Sequence, residues 1–456
     1  MDDAERCVAR GGAGPLVEVP EAVGELVRRL EDEGFETWTV GGGVREAVRA
    51  SPGGPVDWDL ATRAVPAQVR GLFRRTVALG EEYGTVGVFG EDGNLYEVTT
   101  FRRDVITYGR KAEVAFAETL EEDLARRDFT VNAMAWHPFR EELRDPHGGR
   151  EDLANGVLRA VGHARRRFRE DYLRVLRGLR FAGTLGLRIE EETWKGLAEA
   201  VPGLALLSPE RVREELVKVL AGPRPSRALA LYLRSGAMRR ILPELGDEVP
   251  REVLAAMDEL GGSERELLRM ALLMMCGPDS GRDPGKVAAT LARLRFSNAD
   301  AKRIGAAARG GMAPPDGIVR DPPARRRWTA ATAKGGACAV DDVFRVWRAV
   351  SVSGAAPGRS RAGAPERLIA SVRRDLRAGV PASVAQLAVS GRDLVARGWL
   401  PGPGIGAALR SLLEAVWEDP ALNDRSALLE RVAAMSPERG GERTSPGATD
   451  PPRHAP

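Results

Sequence analysis

The feature that most limits what this chain can fold into is a change of hydrophobic rhythm at Asp145-Pro146-His147-Gly148-Gly149. Upstream, short runs of β-branched residues are punctuated by glycine, the signature of strands and turns. Downstream, apolar residues recur three and four positions apart, which places them on one face of a helix. A chain of 456 residues also exceeds what one compact core accommodates, so several domains in series are expected. The fold class expected is α+β: a mixed-sheet domain first, then an all-helical remainder.

Within the first part, residues 37–40 predict a strand that runs into Gly41, Gly42 and Gly43 and then a helix over 44–49. Residues 56–60 predict a second strand. Residues 85–89 and 95–101 flank Glu91-Asp92-Gly93-Asn94, a hairpin pattern. Residues 1–16 and 436–456 are polar and rich in Gly or Pro and charge, and are expected to be disordered. The Gly/Ser/Arg-rich stretch 353–365 is expected to be a flexible loop.

The 68 basic and 65 acidic residues leave a net charge of only +3, so no uniform field surrounds the molecule. A nucleic-acid surface must therefore come from local clusters, such as Arg165, Arg166, Arg167, Arg169, Arg174, Arg177 and Arg180. Cys7, Cys276 and Cys338 form no CxxC pair, which argues against a disulfide framework or zinc ribbon and suits a reducing cytosol. The acidic N-terminus lacks the apolar core of a signal peptide, and the longest apolar run, 270–276, is too short for a bilayer. A cytoplasmic protein without a membrane segment is expected. None of the four histidines is followed by Asp, so a metal-dependent HD phosphohydrolase is not expected.

Asp57-Trp58-Asp59 places two carboxylates two residues apart. On a strand such residues share a face, with Cα atoms roughly 6–7 Å apart, and converge on one or two Mg²⁺ ions. An isolated pair of this kind is usually two solvated acids, so its neighbours decide the reading. Glu97 alternates with Leu95, Thr99 and Phe101, on an apolar-rich face where an acid requires a partner or a metal. Gly41-Gly42 ends a strand and begins a helix, with Arg45 a turn later, so backbone N–H groups can approach a triphosphate.

Residues 169–182 predict one helix, with Asp171, Arg174, Arg177 and Arg180 at intervals of three and Leu173, Leu176 and Leu179 facing inward. A carboxylate only accepts hydrogen bonds and a guanidinium only donates them. Cytosine and adenine both present an amino donor beside a ring-nitrogen acceptor, which matches an Asp–Arg edge, whereas uracil and guanine present the reverse. The bland alternative is an intrahelical Asp171–Arg174 pair on a solvated face. Ser208-Pro209-Glu210 has the form of a helix start.

Three segments, Val40-Gly41-Gly42-Gly43-Val44-Arg45-Glu46, Asp57/Asp59 with Leu60-Ala61-Thr62, and Arg126-Arg127-Asp128-Phe129-Thr130-Val131-Asn132-Ala133, together resemble the class II tRNA nucleotidyltransferase and bacterial poly(A) polymerase family. They occur in order over roughly the first half of the chain; Glu46 stands where the family usually has Asp. The resemblance implies a polymerase β-like catalytic head at 17–144, a helical neck at 145–223, a helical body at 224–387 and a tRNA-binding tail at 388–435. It implies Asp57 and Asp59 as catalytic Mg²⁺ ligands with Glu97 in support, and Gly42 and Arg45 on the triphosphate. Arg127, Asp128 and Asn132 would bind the incoming nucleotide, with Asp128 on its ribose. Glu170-Asp171-x-x-Arg174 corresponds to the family's nucleotide-selecting motif, and Arg177 and Arg180 continue the nucleotide-binding stripe. The polar, flexible-looking loop 103–111 corresponds to one that helps switch specificity from C to A. The function implied is CCA addition to tRNA from CTP and ATP, with no protein partner. Alternatives are a poly(A) polymerase, a CC-only or A-only enzyme and, from another class, a catalytically silent RNA-binding module.

Overall fold

The change of rhythm at residue 145 separates sheet from helix in the structure, a computed structural model that describes residues 17–49, 57–80, 83–108, 111–246, 248–277, 283–311, 317–336, 338–353 and 364–435. The expected disorder at 1–16 and 436–456, and most of the 353–365 stretch, lie outside the described residues.

Nine strands precede residue 145 among the described residues: β1 Thr37–Val40, β2 Asp59–Thr62, β3 Thr76–Ala78, β4 Thr85–Phe89, β5 Leu95–Thr100, β6 Arg102–Tyr108, β7 Lys111–Phe116, β8 Ala135–His137 and β9 Glu142–Arg144. Seven form one sheet in the order β3-β4-β5-β2-β1-β8-β9. The β2–β5 pair is parallel and its neighbours are antiparallel, so the sheet is mixed. The helices of this region are α1 Glu21–Asp32, α2 Gly42–Val48, α3 Pro66–Leu72 and α4 Leu120–Ala125. In α1, Val23, Leu26, Val27 and Leu30 form the buried stripe, and the helix lies against β1. Leu120 and Leu124 of α4 pack with Trp38, Val40, Ala61 and Ala135 of the sheet. The threonines that β1 and β2 bury are satisfied: the hydroxyls of Thr37 and Thr62 lie 2.8 Å apart, and Thr39 donates to the Trp136 carbonyl.

Three local expectations change. The second strand begins at Asp59, so Asp57 lies in the segment leading into it. Glu97 is not on an apolar face: β5 buries Tyr96, Val98 and Thr100 and leaves Leu95 and Glu97 exposed. Residues 103–108 and Lys111 belong to a two-stranded arm, β6 paired antiparallel with β7, rather than to a loop; residues 109 and 110 lie outside the described residues. Val105, Ile106, Thr107 and Tyr108 are β-branched or aromatic and favour extended backbone once a partner strand is supplied.

Beyond residue 145 the regular structure among the described residues is helical apart from two short parallel strands, β10 Val157–Leu158 and β11 Arg188–Ile189. The helices up to residue 297 are α5 Gly149–Ala154, α6 Ala164–Glu170, α7 Leu173–Leu185, α8 Glu191–Ala200, α9 Pro209–Ala221, α10 Pro225–Arg234, α11 Ala237–Ile241, α12 Arg251–Glu259, α13 Arg265–Met274 and α14 Pro284–Arg293. Ser208 caps α9 by accepting from the Arg211 N–H, with Pro209 in its first turn. The last carbonyls of α9 are satisfied from outside: Arg269, 1% exposed, donates to Leu220 and Gly222 at 2.6 Å each, and Arg265 donates to Ala221 at 2.6 Å.

Residues 298–456 form a second compact unit, whose described helices are α15 Asn298–Gly311, α16 Pro322–Ala333, α17 Ala339–Ser353, α18 Ala364–Arg377, α19 Gly391–Val395, α20 Pro403–Glu418 and α21 Arg425–Ala434. Trp328 stacks on Trp347 with centroids 5.1 Å apart, and α20 and α21 bury Leu412, Val416, Leu428 and Val432 together. Among the described residues, no helix is long and apolar enough to cross a membrane.

Helix α7 packs against α6, α8, α9 and α10. Gly178 lets Phe129 approach: a Cβ there would sit 2.9 Å from the Phe129 ring. Gly183 lets α10 approach, since a Cβ there would sit 2.3 Å from the Ala228 Cα, and backbone cannot swing aside. Gly183→Ala is therefore expected to separate α7 from α10 and destabilise the protein by about 1–3 kcal/mol. Chemical denaturation measures this, and an unchanged midpoint would refute the packing account.

Candidate active site

The sheet register sets the carboxylates side by side. Val40 pairs with Asp59, Asp59 with Glu97, and Glu97 with Gly87, so these residues form one row across four strands. Neighbouring strands are about 4.8 Å apart, which holds Asp59 and Glu97 close. Between Asp57 and Asp59, Trp58 is buried and its ring lies under Gly43, where a Cβ would come within 2.6 Å of it. Trp58 thus anchors the segment that presents both acids. Burial raises the Asp59 carboxyl to about 6; the Glu97 charge adds to the rise and Arg127 opposes it.

The glycine turn meets this row from the β1 side. Gly41 adopts φ 74°, which favours glycine, and a Cβ there would lie 3.2 Å from Asp59 Oδ2 and 3.4 Å from Arg127 Nη1. Residues 126–132 supply the next layer. Asp123, at the end of α4, accepts from Arg126 at 3.2 Å and Arg127 at 3.0 Å. Asp128 accepts from Arg177 at 2.7 Å and from the Asn132 amide at 3.0 Å. Asn132 in turn accepts from Arg45 through its other amide atom. Arg45 also pairs with Glu46 at 2.9 Å, so the longer acid found at position 46 holds a defined partner.

The base-reading stretch departs from expectation in its backbone. It is two helices, α6 ending at Glu170 and α7 beginning at Leu173, with Asp171 extended between them at φ −150°, ψ 109°. Asp171 accepts from the Leu173 N–H at 3.0 Å, in keeping with the preference of Asp for helix starts over interiors. Its other oxygen accepts from Arg211 of α9 at 2.7 Å. Arg174 donates to Glu170 at 2.6 Å and to the carbonyls of Arg167 and Arg126 at 3.0 Å each. Glu170 lies one helical turn from Arg174 and takes its guanidinium, and α9 supplies Asp171 with a cation from outside the helix.

Every candidate residue nonetheless lines one cleft of about 1410 Å³: Asp57, Asp59 and Glu97, then Gly42, Arg45, Arg127, Asp128, Asn132, Asp171, Arg174, Arg177 and Arg180. Gly41 of the glycine turn lines it too, as do Trp58, Phe181, Arg211 and Lys218, which were not singled out from the sequence as cleft residues. Phe181 sat inside the arginine stripe, but nothing local marked Arg211, which enters from a helix 40 positions beyond Asp171. The cleft is strongly cationic around its carboxylates, which suits a polyanion that brings or shares a cation. Among the described residues, no three His, Cys, Asp or Glu side chains form a set able to hold a metal ion unaided.

Burial pushes the Asp128 carboxyl up, but the Arg177 charge and the hydrogen bonds from Asn132 and Arg177 outweigh it and hold it near 2, below its ordinary 3.8. A depressed carboxyl contributes stability that is present above its unfolded value and lost as pH falls through its folded one. Stability is therefore expected to drop by about 2 kcal/mol between pH 4 and pH 2 on this account. Asp128→Asn should flatten that acid limb in urea unfolding; identical limbs in the two proteins would contradict it.

Residues 37–159 match the family described as Poly A polymerase head domain, and residues 186–248 match that described as Probable RNA and SrmB- binding site of polymerase A. The CCA-adding enzyme of Leuconostoc mesenteroides is 45% identical over 215 residues, 47% of this chain and 53% of that protein. The CCA-adding enzyme of Geobacillus stearothermophilus is 40% identical over 238 residues, 52% of this chain and 57% of that protein. The chain thus spans about half the length of these two curated relatives. The CCA-adding enzyme of Geobacillus kaustophilus is 32% identical over 417 residues, 91% of this chain and 96% of that protein. Among solved structures, the CCA-adding enzyme of Bacillus stearothermophilus in complex with CTP superposes with a TM-score of 0.70 at 29% identity, over 93% of this chain and 99% of that one.

Proposed function

The chain belongs to the CCA-adding enzyme and poly(A) polymerase family, and on that premise we propose that it builds or repairs the 3′-terminal CCA of tRNA from CTP and ATP. The observation that carries this reading is the convergence of all three sequence motifs on one cleft that holds both the carboxylates and the guanidiniums. The RNA 3′-hydroxyl attacks the nucleotide α-phosphate and pyrophosphate leaves. Asp57 and Asp59 present carboxylate oxygens to the reacting phosphate, and Glu97 lies beside Asp59 on the next strand. This donor set fits Mg²⁺, which is commonly held by one or two carboxylates with substrate phosphates and water completing its shell. The rise of the Asp59 carboxyl through burial and the Glu97 charge supports a site that a cation would relieve. Mg²⁺ held by Asp57 and Asp59 would acidify the attacking hydroxyl and neutralise the leaving pyrophosphate.

The chain's other residues bind and orient. The backbone at Gly41 and Gly42, with Arg45 and Arg127, takes the triphosphate; Asp128, fixed by Asn132 and Arg177, takes the ribose. Asp171 and Arg174 face the same cleft, each anchored by a different neighbour, and together offer an acceptor and a donor to the base edge. Cytosine and adenine match that edge, whereas a wrong base leaves buried groups unpaired at roughly 1–3 kcal/mol each. Selection then needs no nucleic-acid template. The cysteine pattern, without CxxC pairs, supports a cytoplasmic setting. A second reading, poly(A) polymerase, is favoured by the description of the head family alone.

The test is incorporation into a tRNA transcript lacking its CCA end, with Mg²⁺ and each nucleotide alone, then with CTP and ATP together. Addition of C, C and A that then stops is expected; a long A tract from ATP alone would assign the protein to the poly(A) polymerases. Asp59→Ala is expected to abolish incorporation and leave tRNA binding largely intact, and retained incorporation would remove Asp59 from the mechanism. Arg174→Ala should blur discrimination of C and A against U and G. Unchanged selectivity, measured by single-nucleotide incorporation, would overturn the base-edge assignment.

A further inference from the structure

Phe181 is 7% exposed on α7 and has no polar atom to contribute, yet it lines the nucleotide cleft. Three guanidiniums surround its ring: Arg180 at 4.2 Å from the centroid, Arg45 at 5.1 Å and Arg177 at 5.2 Å. Arg45 comes from α2 and the other two from α7, so one ring gathers cations from two separate elements. Each is also held by its own carboxylate, Arg45 by Glu46, Arg177 by Asp128 and Arg180 by Glu215. Three like charges around one ring repel, and the electron-rich ring between them offsets part of that repulsion. Burial works against the Arg45 cation, Glu46 favours it, and the charge of Arg180 opposes it, so the crowding is felt at this group. The ring is itself fixed edge-on by Phe129, centroids 6.0 Å apart and planes at 77°.

We propose that Phe181 is a positioning residue whose π face holds Arg45, Arg177 and Arg180 together as one receptor for the nucleotide triphosphate. The proposal deepens the nucleotidyl-transfer reading and rests on it for the identity of the anion. Cation–π attraction at partly desolvated sites is strong enough to matter, and here it acts on three cations at once. Because the triphosphate is common to both substrates, loss of the ring should weaken CTP and ATP alike, whereas a base contact would separate them.

The test uses the full chain with Phe181→Leu, which keeps an apolar side chain and removes the ring, and Phe181→Tyr, which keeps the ring. Thermal unfolding is measured on both, and Phe181→Met is read in place of the Leu variant if that one melts early. In the Leu variant KM for CTP and for ATP should rise together by roughly tenfold with kcat little changed, and the Tyr variant should restore them. Calorimetric binding of inorganic triphosphate should weaken in parallel with KM. Unchanged affinity in the Leu variant, equal loss in the Tyr variant, or unequal loss for CTP and ATP would each overturn the proposal. If the wild-type protein binds inorganic triphosphate but incorporates no nucleotide, the transfer reading falls, and weakened binding by the Leu variant still supports the role of the ring.

Discussion

A single buried carboxylate joins the sheet to the helices that complete the cleft. Asp128 accepts from Arg177 of α7, from Asn132 and from its neighbour Phe129 N–H. A buried charge is tolerable only when it is paired and its oxygens are satisfied, and both oxygens here are. The consequence reaches further than the pair, because Asn132 passes the constraint on to Arg45 of α2 and thence to Glu46. The cationic wall of the cleft is thus positioned by one chain of hydrogen bonds that begins at the end of the sheet domain. Such a chain specifies geometry, since breaking any link leaves a polar group buried and unpaired.

The same economy governs the helix ends. The last carbonyls of α4, Ala125 and Arg126, are satisfied by Arg167 and Arg174 from the following helices. Glu170 accepts from Arg166, Arg167 and Arg174, so the residues that close one helix also hold a proposed base-reading side chain in place. Structure and proposed chemistry are therefore not separable in this stretch. A substitution at Glu170 would disturb packing at the end of α4 as well as the cleft.

The sequence conveyed the sheet well where local period and turn chemistry coincide, as at Thr37–Val40 and at the hairpin of Thr85–Phe89 and Leu95–Thr100. It misjudged residues 103–108, because a polar stretch reads as a loop until a partner strand is supplied, and β7 supplies it. It placed Glu97 on a face with Phe101, but β5 ends at Thr100 and the alternation does not continue beyond it. It ran one helix through Asp171, although an Asp followed two residues later by a leucine-rich helix is also a cap, and the backbone takes that option. Each miss concerns a residue whose local preferences allow two outcomes.

By itself the sequence determined the chemical inventory: carboxylates two apart, a glycine turn, arginines at helical spacing, and a chain that changes from sheet to helix near residue 145. These follow from residue type and short-range period, which neighbours along the chain suffice to set. Only the tertiary structure decided which charge meets which. Asp171 takes Arg211, Asp128 takes Arg177, and Phe181 collects cations from two elements. Those choices depend on the distances that packing creates between segments far apart in the chain, and no local pattern encodes them.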